Sequence, residues 1–371
     1  MHTLAEVGPA VLAGMGVPGG ANGLGLPGAR KVCLLVVDGL GWELLRAHTR
    51  DAPFLASLMQ APIASGFPST TATSLASLGT GRLSGEHGVV GYTFAVDGEL
   101  LNALGWHRQG EGLDLRDRLV PEKVQPERTV FEQAVEAGVP VQLVAPREIE
   151  ASGLTRAVLR GGEVRGVHAL GNLISQVLHA LREHDRILCY AYHADLDGLG
   201  HGYGPGSDAW CYQLSVIDHV AATIANGLPR DAMLVITADH GMVTAGEQDR
   251  IDFDTEPDLR DGVRMLGGEG RVRYLYVEAG AVDEVVDNWR GVLGDRAQVL
   301  RRQQAIDQGW FGPRVADRVL PRIGDVVVAA QGSSVVVRSK AEARLSRFVG
   351  HHGSLSDAER LVPLLVAANG S

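Results

Sequence analysis

The sequence predicts an α/β fold with a mostly parallel central sheet, helices on both faces and a small inserted α+β subdomain. Three observations lead there. Val32–Val37, Arg186–His193 and Met233–Ala238 are largely apolar runs without polar alternation, as in strands covered on both sides. Helix-like segments alternate with them, which favours parallel pairing. Between about residues 250 and 340 the texture changes to strand-like runs around one helical segment, consistent with an insertion.

Along the chain, a short helix-like start leads into the Gly/Pro-rich stretch Gly14–Gly28, so residues 1–30 read as a lead-in and 31–371 as the main domain. The strand Val32–Val37 ends at Asp38-Gly39, and Trp42–His48 follows as a helix. Val89–Gln125 reads as irregular. Thr129–Gly138 reads as a helix, Val139–Val144 as a strand, and Gly171–His184 as a longer helix. Arg186–His193 is followed by Asp195, Asp197 and His201, then by the helical stretch Ser207–Gly227. Met233–Ala238 ends at Asp239-His240-Gly241. Within the insertion, Gln331-Gly332-Ser333-Ser334 predicts a hairpin between Val326–Ala330 and Val335–Arg338. Leu361–Ala367 returns to the main sheet.

Bulk properties narrow the function classes. The chain has 371 residues, 45% of them hydrophobic, enough for a large core. Its net charge of −10 argues against a nucleic-acid scaffold, and no polybasic run suggests a membrane surface. Cys33, Cys189 and Cys211 are an odd number, read as thiols in a reducing compartment rather than as a disulfide framework. Met1–Gly16 lacks the pattern of a secretory signal, and no apolar run approaches bilayer-spanning length, so a cytoplasmic location is expected.

The most informative stretch runs from Ser65 to Gly81, Ser-Gly-Phe-Pro-Ser-Thr-Thr-Ala-Thr-Ser-Leu-Ala-Ser-Leu-Gly-Thr-Gly. Gly66 and Pro68 break the chain, Ser69 or Thr70 can cap a helix, and Gly79 and Gly81 end it. Hydroxyls in the first turn of such a helix lie among unpaired N–H groups at its positive end, which suits an anion. The chemistry of this stretch alone does not choose between Thr70 and Thr71.

Asp38, Asp197 and Asp239 each follow the C-terminal end of an apolar strand, the edge where open parallel sheets bind ligands. Three carboxylates gathered there repel one another unless cations lie between them. His201 lies four residues after Asp197, His240 follows Asp239, and Gly350-His351-His352-Gly353 closes the set. Three carboxylates and three imidazoles can form two divalent-metal sites, with zinc or manganese suited to mixed N/O ligands. Asp38 before a glycine is also a common turn former; co-occurrence of all six residues with the hydroxyl helix is what gives the pattern weight.

These motifs, in this order, resemble the nucleotide pyrophosphatase/phosphodiesterase branch of the alkaline phosphatase superfamily: Val-Val-Asp38-Gly, Phe-Pro-Ser-Thr-Thr71 closed by Gly79-Thr80-Gly81, His87-Gly88-Val89-Val90-Gly91, Asp197-Gly-Leu-Gly-His201, Thr-Ala-Asp239-His240-Gly241 and His352-Gly353. The resemblance covers roughly Lys31–Leu365. It implies a hydrolase of phosphoric esters with Thr71 as nucleophile, a phosphothreonine intermediate and two divalent metals. Asp38, Thr71, Asp239 and His240 would hold one metal, and Asp197, His201 and His352 the other. Asp195 stands two residues too early for the Asp-x-x-x-His spacing and would lie outside the ligand set. The branch usually has an asparagine contacting a phosphate oxygen where this chain has Tyr92, which puts the usual nucleotide substrates in question. A small-molecule phosphoester is the expected partner. A phosphomonoesterase, a phosphonate hydrolase or a silent metal- and anion-binding module remain the alternatives, whereas a sulfatase would need a Cys/Ser-x-Pro-x-Arg motif at the nucleophile.

Overall fold

The computed structural model describes residues 1–368; the last three residues of the expected 31–371 span lie outside the described residues. Seven strands build the main sheet: β1 (Lys31–Val37), β2 (Pro62–Ala64), β3 (Val141–Pro146), β4 (Glu163–Val167), β5 (Ile187–His193), β6 (Ala232–Thr237) and β7 (Leu361–Ala368). Their spatial order is β2-β7-β6-β1-β5-β3-β4. β1 lies at the centre, parallel to β5 and β6, and β3 is parallel to β5 and β4. β7 is antiparallel to both β6 and β2.

Burial along β1, β5 and β6 is nearly unbroken, so both faces are covered. The helices include α1 (Val7–Gly14), α2 (Thr71–Thr80), α3 (Val130–Glu136), α4 (Leu170–Glu183), α5 (Asp195–Tyr203) and α6 (Asp208–Asn226). α1, α2 and α3 pack on one another, and α4 packs on α6 and the strands β3, β4 and β5. Leu4, Val7, Ala10, Val11 and Leu12 are buried in the same hydrophobic cluster as β1, so the N-terminal residues contribute to the main core. Among the described residues, no helix is long and apolar enough to cross a membrane, and all three cysteines are free.

Two parts of the sheet escape the sequence pattern. β2 has three residues, and β4 is a partly exposed edge. The stretch read as irregular also contains a small antiparallel meander, Thr93–Val96, Glu99–Asn102 and His107–Arg108. Asp97 and Gly98, both with positive φ, turn its first hairpin.

The 250–340 region forms a second, four-stranded antiparallel sheet in the order Val263–Glu269, Val272–Val277, Val326–Ala330, Ala297–Arg301. Helix α7 (Val282–Leu293) buries Val285, Val286, Trp289 and Leu293 in a separate cluster with Leu275, Val326 and Val328. The expected hairpin between Val326–Ala330 and Val335–Arg338 does not form. Val326–Ala330 already has both edges paired, to Val272–Val277 and to Ala297–Arg301. Val335–Val337 instead runs parallel to Arg250–Asp252.

Buried arginines fix that diversion. Arg271 donates from Nη1 to Ser334 O at 2.6 Å, and Arg273 donates from Nε and Nη2 to Val336 O at 3.0 and 2.8 Å. Arg273 also pairs with Glu342 at 2.8 Å. Arg271 grips Glu359 through two bonds of 2.9 and 2.7 Å, with both side chains fully buried. Glu359 also accepts from Ser354 N at 2.9 Å, and its carbonyl accepts from Gly241 N at 2.7 Å. Removing one member of such a pair strands a charge in low dielectric, whereas an exposed pair contributes little. Arg271→Ala should therefore lower unfolding free energy by about 3–5 kcal/mol, while Arg301→Ala, which breaks the exposed pair with Asp283, should stay within about 1 kcal/mol; denaturant titration checks the contrast.

Candidate active site

Because β6, β1 and β5 are adjacent and parallel, residues that follow them meet at one edge. Asp38 directly follows β1, and Asp239 lies two residues beyond β6. Asp197 and His201 sit four apart on α5, which places them on one helix face. Gly39, at φ +75°, permits the close approach: a Cβ there would lie 3.0 Å from Asp197 Cα and Cβ. Thr71 is the first residue of α2, and its hydroxyl lies 3.5 Å from Asp38 Oδ1 and 3.2 Å from His240 Nε2. The 350–354 segment closes over the start of α2: Ser69 N donates to Gly353 O at 2.9 Å and Ser69 Oγ to Ser354 O at 2.7 Å.

The three histidines share one arrangement. Nδ1 of His240 bonds to Gly241 O at 2.9 Å, Nδ1 of His201 to Gly350 O at 2.8 Å, and Nδ1 of His352 to Ser69 O at 3.2 Å. A proton on each Nδ1 leaves Nε2 as a free lone pair, the tautomer a metal ligand needs. His240 Nε2 lies 3.4 Å from Asp38 Oδ1 and 3.5 Å from Asp239 Oδ2. His201 Nε2 lies 3.3 Å from Asp197 Oδ2, and His352 Nε2 lies 3.9 Å from Asp197 Oδ1.

Ligand atoms of Asp38, Asp239 and His240 fall within 4.8 Å of one another, and so do those of Asp197, His240 and His352. His240 is thus common to both groups, its ring stacked on His352 at 3.6 Å, while His201 reaches the second group through Asp197 and stands 5.1 Å from His352.

The residues present fit divalent cations. Asp197 Oδ1 and Asp239 Oδ2 are buried with no hydrogen-bond partner, although carboxylate oxygens in such positions are normally satisfied. Burial, then the neighbouring Asp239 and Asp197 charges, push the Asp38 carboxyl well above the usual carboxylate range, with the Tyr192 hydroxyl bonded to its Oδ2. For Asp197, burial acts upward but the His201, His352 and His240 charges outweigh it and hold the carboxyl below its ordinary value. Burial, then the His240 charge, push His352 well below the usual imidazole value. His201 is raised: burial opposes this, and the Asp197 charge and hydrogen bond outweigh it.

Several neighbours sort differently. Thr70 occupies the N-cap position by backbone angles, yet its hydroxyl makes no capping bond. Ser69, the other cap candidate, spends its hydroxyl on Ser354. The expected capping role for a Thr70 side chain is therefore not met. His351 bonds through Nε2 to Phe348 O at 3.0 Å rather than toward the carboxylates. Asp195 is exposed and lies beside His193. His87 is buried, bridged to Ser77 Oγ at 3.1 Å and to Val89 N at 3.1 Å, and burial drives its pKa down to about 3.

A cavity of about 610 Å³ opens in front of Thr71. Tyr92 lines it, half-buried, and burial raises its phenol above the usual value. The inserted sheet contributes Glu269 and Arg273 to the wall, and a later loop contributes Glu342 and Arg344. Glu269 lies 3.8 Å from His352 Nδ1, and burial raises its pKa to about 8. Sequence spacing carried no signal for Glu269; only the fold brings the end of an inserted strand to this edge. Arg344 makes no ion pair among the described residues, so it stands as an exposed cation in the cavity wall.

Comparison with solved structures finds murine ectonucleotide pyrophosphatase/phosphodiesterase 5 at a TM-score of 0.72 and 17% identity, covering 91% of this chain and 88% of that one. An inactive threonine-to-alanine form of the murine protein, in complex with AMP, aligns at 0.71. Phosphonoacetate hydrolase from Sinorhizobium meliloti 1021, in complex with phosphonoformate, aligns at 0.68 and 20% identity, covering 92% and 91%. No curated protein sequence matches the chain. The type I phosphodiesterase / nucleotide pyrophosphatase model matches residues 32–355, most of the chain. The chain therefore belongs to the type I phosphodiesterase / nucleotide pyrophosphatase family, hydrolases acting on phosphoester bonds.

Proposed function

We propose that the protein hydrolyses phosphodiesters or nucleotide pyrophosphates through Thr71, with Asp38, Asp239 and His240 serving one divalent cation and Asp197, His201 and His352 a second. The observation that carries this reading is the Thr71 hydroxyl, 3.2 Å from His240 Nε2 and 3.5 Å from Asp38 Oδ1 at the mouth of a 610 Å³ cavity. The inactive threonine-to-alanine form of the murine relative supports a threonine in this role. Zinc suits the mixed N/O donors best, with manganese as the other candidate. Bound there, two divalent cations would stabilise charge on the attacking and departing oxygens.

The chain's own groups then do the rest. Thr71 Oγ1 gives up its proton to water and bonds to phosphorus as the bond to the leaving alcohol breaks, giving phosphothreonine. The departing oxygen takes a proton from water. A water oxygen next attacks from the vacated side, the P–Oγ1 bond breaks, and Thr71 regains its proton. Position at the first turn of α2 puts Thr71 among unpaired N–H groups that favour the added negative charge. The three Nδ1–carbonyl bonds hold the imidazoles in place, and the Tyr92 phenol, which lines the cavity, would donate to a non-bridging oxygen.

Arg344 favours a second reading, a phosphonate hydrolase. An unpaired guanidinium in the wall of the cavity suits a further anionic group on the substrate, such as a carboxylate or second phosphoryl. The phosphonoacetate hydrolase neighbour makes the first of these concrete. A panel of phosphodiester, nucleotide pyrophosphate, phosphomonoester and phosphonate, assayed with added zinc or manganese, separates the readings; turnover of the phosphonate alone would overturn the first.

Two substitutions test the assignments. Thr71→Ala should abolish turnover and acid-stable phosphate incorporation while metal content stays at the wild-type level, and Thr71→Ser should keep part of the activity. Label mapped to Thr70 after acid quench would reassign the nucleophile. Tyr92→Phe should lower turnover about ten- to a thousandfold, the range for losing one transition-state donor; an unchanged rate in steady-state assays would leave the phenol a purely steric part of the wall.

A further inference from the structure

On the far side of the β1 and β5 connections, three side chains converge that take no part in the chemistry above. His48 follows the short helix Trp42–Ala47, Asp51 follows it by three residues, and Cys211 lies in the first turn of α6. His48 Nδ1 is 3.2 Å from Asp51 Oδ2 and 3.5 Å from Cys211 Sγ, and the three ligand atoms all fall within 4.8 Å of one another. Trp210 packs edge-on against the imidazole, with ring centroids 5.3 Å apart. Cys211 Sγ also lies 3.6 Å from Gly206 O, and the Asp208 charge is close enough to act on the thiol.

A thiol–imidazole–carboxylate relay would place the thiol and the carboxylate on opposite ring nitrogens. Here both face Nδ1, so the ring cannot pass a proton from one to the other. A single point near all three atoms is what a cation requires. For zinc bonds of about 2.0–2.1 Å to nitrogen, 2.0–2.2 Å to oxygen and 2.3 Å to sulfur, a tetrahedral face has N···O and N···S edges of about 3.3 and 3.5 Å. The observed separations match those edges.

We propose that His48 Nδ1, Asp51 and Cys211 form a zinc site distinct from the catalytic edge, with the fourth position open to solvent. Asp51 is 38% exposed on its side chain and His48 24%, which leaves that position accessible. The cation would tie the turn that follows β1 and Asp38 to the start of α6, which follows Asp197 and His201 on α5. Its role is a staple between the two connections that leave neighbouring catalytic strands.

Cobalt titration of the chelator-stripped, reduced full-length protein tests this, because the catalytic set holds only nitrogen and oxygen donors. A near-ultraviolet thiolate-to-cobalt charge-transfer band should appear, saturate at one equivalent, be displaced by zinc and persist in Thr71→Ala. Cys211→Ser should lose the band yet keep phosphodiester hydrolysis after metal reloading. Asp51→Asn should weaken cobalt affinity at that band by about tenfold or more. Absence of the band up to millimolar cobalt, or its survival in Cys211→Ser, overturns the site. If Cys211→Ser fails to fold, the wild-type titration and Asp51→Asn still decide, since wild-type affinity in Asp51→Asn also overturns it.

Discussion

Mutual repulsion among Asp38, Asp197 and Asp239 governs the architecture around this sheet edge. The strand order places all three in one low-dielectric pocket, where an uncompensated cluster would be costly. The chain faces them with Nε2 atoms rather than with lysine or arginine, a donor set that fits divalent cations. The unpartnered oxygens of Asp197 and Asp239 are the trace of that choice. Surrounding backbone carbonyls then hold the imidazoles, so the rigidity of the site derives from Gly241, Gly350 and Ser69 as much as from the ligands.

Much of this was legible in the sequence. The strands β1, β5 and β6 appear as apolar runs because burial on both faces removes polar alternation. Since parallel pairing aligns their ends, the acids after them could be placed at one edge before any coordinates. The hidden parts are those whose pairing is decided at long range. Val335–Val337 has strand chemistry, but nothing local says that Val326–Ala330 will already have both edges filled. Glu269 reaches the cavity only because the insertion folds back over the main sheet.

The division of labour between the two layers is uneven. The elements around the main sheet supply the acids, the imidazoles and Thr71, the groups on which the proposed phosphoryl chemistry rests. The inserted sheet and the loop after it supply Glu269, Arg273, Glu342 and Arg344, a mixed-charge wall with no obvious part in bond making. Selectivity for the rest of the substrate falls naturally to that wall, and Tyr92 belongs with it by position.

One contact bears on how substrates enter. Glu359 is bound at once to Arg271 of the insertion, to Ser354 beside His352 and, through its carbonyl, to Gly241 beside His240. A flap that swung outward would have to tear two charge-assisted bonds out of a dry interior and disturb both histidines with them. The side of the cleft that Arg271 anchors is therefore held against outward swing, and a guest there meets a wall already formed.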